Sequence, residues 1–106
     1  MSFKGLPKAE LTHVPEGRWL IAAPNPASDE VQVWFRTPEG GSAKLALFSV
    51  NGERVLARHF SELRSGENSV TLSLNGVASG LYYLALFTDN GMGVAHRDIF
   101  KLAVVK

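Results

Sequence analysis

Cysteine is absent from the chain. Its absence excludes disulfides, thiol nucleophiles and cysteine-based zinc sites together. The compartment stays open, because a domain of this size folds outside a cell without disulfides. Long apolar runs are missing too. The stretch 81–87 falls far short of the ~20 residues that span a membrane as a helix. Residues 1–10 hold none of the roughly 7–15-residue apolar core of a signal peptide. An exported form would therefore take its leader from elsewhere, and the chain reads as a piece of a longer protein. An excess of one charge is also lacking: 11 basic and 10 acidic side chains give +1 at pH 7. The signs alternate, as in Glu53-Arg54 and Arg97-Asp98, whereas nucleic-acid binders carry a basic stripe. Neither nucleic acid nor an anionic membrane is an expected partner.

What is present suits one soluble domain. The 106 residues are 45% hydrophobic and 20% charged, ordinary values for a globular protein with a single core. Residues 1–18, with Gly5, Pro7, Pro15 and Gly17, read as a linker or N-terminal arm. A short alternating piece at 9–14 could add a strand to this chain or to another copy. From Trp19 to Lys106 the pattern is short apolar alternations split by turn residues. Strands are predicted at 19–23, 31–36, 43–50, 54–60, around 70–74, at 81–88 and near 100–105. The nearly continuous apolar run 81–88 reads as a central strand covered on both faces, and 61–68 as a polar loop. Asn51-Gly52 between two alternating runs predicts a type I′ hairpin with positive φ at both residues. About seven strands without a helical period predict an all-β fold, an immunoglobulin-like antiparallel β-sandwich.

Motifs for catalysis are lacking. His13, His59 and His96 match no metal-ligand spacing, and no cofactor is expected. Asp29 and Glu30, adjacent on a strand, point to opposite faces. Asp89 lies in Asp-Asn-Gly, which a turn uses. No Gly-x-Ser-x-Gly elbow or phosphate-cradling glycine loop occurs. Trp34 interrupts a polar strand face and is the one candidate for a ligand platform, if Tyr82 or Tyr83 joins it on a flat face. Its other reading is sheet packing.

Four segments in order carry a family resemblance: residues 24–29 (PNPASD), 45–55 (LALFSVNGERV), 79–84 (SGLYYL) and 101–106 (KLAVVK). Together they resemble the C-terminal sorting domain of the type IX secretion system of Bacteroidetes-type bacteria, type A. The resemblance implies a non-catalytic immunoglobulin-like sandwich attached behind a cargo protein. It implies recognition by the outer-membrane translocon from the periplasm and delivery to the cell surface or the medium. A sortase-like peptidase would then cut in the upstream linker. By resemblance the sorting residues are Pro24, Asn25 and Pro26 of the opening motif, Asn51 and Gly52 of the hairpin, and Gly80 and Tyr82 of the late strand. To these it adds Lys101, Leu102, Val104, Val105 and Lys106 of the basic-tipped terminal strand.

The residues themselves leave other readings open. Pro24 to Pro26, Asn51-Gly52 and Gly80 are also plain turn chemistry, and Tyr82 also suits a core. A terminal edge strand offers backbone groups for strand addition by a partner, or for self-association, and equally is an ordinary edge guarded by lysines. An accessory sandwich holding carbohydrate or a partner protein, and a self-assembling surface protein, are the alternative functions.

Overall fold

Seven strands and no helix make up the described residues of the computed structural model, which are 18–37, 40–92 and 95–106. Residues 1–17, with the alternating piece at 9–14 and His13, lie outside them. The strands are β1 (Leu20–Ala23), β2 (Glu30–Thr37), β3 (Gly41–Ser49), β4 (Arg54–Leu63), β5 (Gly66–Ser73), β6 (Gly80–Asp89) and β7 (Ala95–Val104). They form a three-stranded sheet, β1-β2-β5, and a four-stranded sheet, β4-β3-β6-β7, with every strand pair antiparallel.

The period-two patterning dictates how the sheets meet. Val31, Val33 and Phe35 of β2 are fully buried, as are Leu45 and Leu47 of β3, Leu84 and Leu86 of β6, and Leu102 and Val104 of β7. Alternate residues share one face of a strand, so each sheet turns one apolar face inward and the two close over a common core. This is the expected immunoglobulin-like sandwich, with β4 lying beside β3 in the larger sheet.

Three local expectations are corrected. The stretch 61–68 is strand for most of its length. Glu62 adopts a left-handed φ of 56°, and the β3–β4 register shifts beside it, which is how a bulge accommodates an extra residue. The buried Thr37 then ties the short connection: its Oγ1 donates to the Arg64 carbonyl at 2.8 Å, and Asn68 Nδ2 donates to that Oγ1 at 2.8 Å. Secondly, β6 is central in its sheet but covered on one face only. Leu81, Tyr83 and Phe87 are 42%, 37% and 38% exposed, because the described residues put no third layer outside. Thirdly, β7 begins at Ala95 rather than near 100, since Arg97 and Asp98 continue the ladder opposite Phe87 and Leu86.

Candidate functional site

Antiparallel order sends the β1–β2, β3–β4 and β5–β6 connections and the end of β7 to one end of the sandwich. All the residues that the resemblance singles out lie at that end; Trp34, the candidate ligand platform, lies within β2.

Residues 24–27 run along the free edge of β7. The prolines at 24 and 26 have no N–H to donate, so an ordinary ladder cannot form there. The Asn25 side chain takes its place: Nδ2 donates to the Lys101 carbonyl at 3.1 Å, and Oδ1 accepts from the Ala103 amide at 2.9 Å. Past Pro26 the backbone resumes pairing. The Ala27 amide donates to the Ala103 carbonyl, and the Val105 amide to the Ala27 carbonyl, both at 2.8 Å. Both peptide bonds preceding these prolines are cis. The terminal edge, which the sequence leaves either open for strand addition or an ordinary edge guarded by lysines, is therefore occupied from within the chain at Lys101, Ala103 and Val105.

The tail divides by side chain. Leu102 and Val104 point inward and are fully buried, while Lys101 is exposed and Val105 is 58% exposed. Lys106 is anchored at both ends: its amide donates to Ser79 Oγ at 2.9 Å and its Nζ to the Leu74 carbonyl at 2.7 Å.

Gly80 pairs with Val104 and Tyr82 with Leu102. Tyr82 is buried, and its hydroxyl donates to the Ala78 carbonyl at 2.7 Å. A tyrosine near the start of a strand bonding back over the preceding corner is a known sandwich device, so Tyr82 stiffens the β5–β6 connection. Gly80 is not forced to be glycine: an added Cβ would meet the Tyr82 ring at 3.5 Å, an ordinary contact.

The Asn51-Gly52 hairpin exists but is not type I′. The Gly52 amide donates to the Ser49 carbonyl at 2.9 Å, and the Ser49 amide to the Glu53 carbonyl at 2.8 Å. Gly52 has φ 87°, whereas Asn51 is not among the residues with positive φ. With the register shift between Leu47 and Phe48, this is a type I turn closed by a glycine bulge. The Ser49 hydroxyl accepts the amides of Asn51 and Glu53, both at 3.3 Å.

Among the described residues no flat aromatic platform forms. Trp34 is half-buried on the outer face of the three-stranded sheet, Tyr82 points into the core, and Tyr83 lies on the opposite outer face. His59 is exposed, and His96 stacks on Trp19 with ring centroids 4.1 Å apart. Among the described residues no three His, Asp or Glu side chains could hold a metal ion. Asp89 does what a turn asks, its Oδ1 accepting the Gly91 amide at 2.7 Å.

Sequence reasoning missed the knot at Asp98. Arg18 Nε donates to Asp98 Oδ2 at 2.9 Å and the Trp19 amide to the same oxygen at 3.1 Å. An Arg18 guanidinium nitrogen also reaches the Ile99 carbonyl at 2.8 Å. Burial pushes the carboxyl pKa up, but the Trp19 amide, the Arg18 guanidinium and the Ile99 amide outweigh it, and Asp98 titrates below its ordinary value. The knot fastens the chain entering β1 onto β7. Its partners are 80 residues apart, and no local pattern announces such a pair.

Among the described residues no helix is long and apolar enough to cross a membrane. A search of curated proteins finds no match. The family model described as a secretion system C-terminal sorting domain matches residues 22–99.

Proposed function

We propose a mode of action for a chain that belongs to the family of secretion system C-terminal sorting domains. As a member it is a C-terminal sorting signal for type IX secretion, which sends a cargo protein attached upstream to the cell surface or the extracellular space. The family is not known as catalytic.

The outer-membrane translocon meets the domain in the periplasm and reads the end of the sandwich built from residues 24–27 and the tail of β7. Lys101, Val105 and Lys106 supply contact, together with Pro24, Asn25 and Pro26 beside them and the Asn51-Gly52 hairpin nearby. Leu102, Val104 and Tyr82 hold that surface in shape from beneath, and Gly80, exposed, pairs with Val104 at its edge. The sandwich is the unit 19–106, and residues 1–18 are the linker in which a sortase-like peptidase separates cargo from signal.

One observation carries this reading: the Asn25 side chain and the Ala27 backbone bind the terminal strand directly. The opening motif and the tail thereby form one surface rather than two separate features. The test is export of a reporter fused ahead of the full chain in a type IX host. Deleting the tail would remove Leu102 and Val104 from the core and confuse folding with sorting. Lys101→Glu with Val105→Asp is the cleaner variant. Export should fall while the melting temperature stays near that of the parent; export equal to the parent's would refute the assignment.

A further inference from the structure

We propose that the outer face of the four-stranded sheet is a second docking surface, one that takes an extended, apolar and acidic protein segment of the export machinery; this rests on the sorting function above. Directly paired residues share a face, and the register places Ala57, Ala46, Ala85 and Ile99 in one row across all four strands. A row of larger side chains flanks it on each side, Phe48–Tyr83–Lys101 and Lys44–Phe87–Arg97.

The result is a trough between two ridges. Ala46 and Ala85 face outward yet are only 1% and 4% exposed, because the ridges overhang them. Ile99, at the open end of the row, is 57% exposed. A depression of about 410 Å³ lined by Ala85, Phe87, Arg97, Asp98 and Ile99 marks that end. Four strands spaced about 4.8 Å apart make the trough roughly 14 Å long, room for about four residues of extended chain. A trough of this shape suits a single peptide strand better than a bilayer, which favours protruding side chains.

The charge of the face identifies the occupant's chemistry. Its rim carries Lys44, Arg97 and Lys101, all exposed, and none of the three enters an ion pair with the described residues. Lys44 Nζ lies 5.9 Å from the centroid of the Phe87 ring. Of the acids at the margin, Asp98 is paired with Arg18, and Asp89 accepts the Gly91 amide while keeping its charge, so the three cations leave the face with a positive excess. An incoming segment would lay apolar side chains on the alanine row and direct carboxylates to the rim.

The experiment compares reporter fusions to the full chain in a type IX host. Lys44→Glu with Arg97→Glu should lower surface reporter about tenfold or more, as like charges across an interface do. Lys44→Arg with Arg97→Lys should export normally, and Ile99→Asp should fail as the double reversal does. All substituted residues are exposed, so the melting temperature of each variant should match the parent's. If the parent fusion stays inside, the sorting function itself fails; if the parent is exported and the reversed variant equally so, this inference alone fails. Two other results would overturn the choice of occupant. One is dimerisation of the purified chain in sedimentation that the double reversal abolishes, which would assign the face to a second copy. The other is binding to vesicles of anionic phospholipid that the double reversal abolishes, which would assign it to a membrane.

Discussion

Asn25 lies against Ala103 as a neighbouring strand would, its Oδ1 accepting the Ala103 amide at 2.9 Å while its Nδ2 donates to the carbonyl of Lys101. One side chain thus does the pairing that two flanking prolines deny the backbone. Asn25→Ala should destabilise the domain by about 1–2 kcal/mol, two hydrogen bonds at their usual net worth. Asn25→Asp keeps the acceptor for Ala103 but sets a carboxylate against the Lys101 carbonyl, so it should not rescue. Denaturant midpoints test both, and a midpoint unmoved by Asn25→Ala would mean that the side chain does not hold β7 in solution.

The hairpin predicts a split between adjacent residues. A Cβ at Gly52 would meet nothing within 4 Å, so the cost of Gly52→Ala lies in its φ of 87° alone. That conformation disfavours L-residues by about 1–2 kcal/mol. Asn51→Ala, at a position without positive φ, should stay within about 0.5 kcal/mol of the parent. Equal losses at the two positions, read from thermal melts, would restore the type I′ turn.

Gly80 separates sorting from folding. Since Gly80→Ala adds only an ordinary contact with the Tyr82 ring, stability should change by less than about 0.5 kcal/mol. A stable variant that is exported normally would place Gly80 among the purely structural residues. A stable variant that stays inside would place it in the surface the translocon reads.

Acid should weaken the Asp98 knot. The folded-state pKa lies below the ordinary aspartate value of 3.8, so the ionised carboxylate adds stability above that value and loses it as pH falls through the folded pKa. Asp98→Asn should therefore lower the melting temperature at pH 7, and the gap to the parent should close below pH 3.8. A gap that persists undiminished at lower pH would show that packing, not charge, is what the substitution removes.

The sandwich was legible because alternation is a local signal: 31–36 and 70–74 already show which side chains turn inward. The apolar run 81–88 misled for a physical reason. A row of outward Leu81, Tyr83 and Phe87 looks the same in sequence whether another layer or a binding partner is to cover it. The site was legible as four segments but not as one surface. The residues that join its two ends, Asn25 and Ala103, are 78 apart, and they meet through a side chain that no strand pattern encodes. The knot of Arg18 with Asp98 was hidden in the same way, and so was the bulge at Glu62, where a polar residue that reads as loop lies inside a strand.

The central claim is tested most directly by fusing the full chain behind a reporter with a periplasmic leader, in hosts with and without a working type IX translocon. Reporter is then measured at the cell surface and in the medium. Sorting through the composite end predicts export that needs both the domain and the translocon, and that falls with Lys101→Glu and Val105→Asp while the domain stays folded. A folded reporter that remains in the periplasm of the host with a working translocon would contradict it.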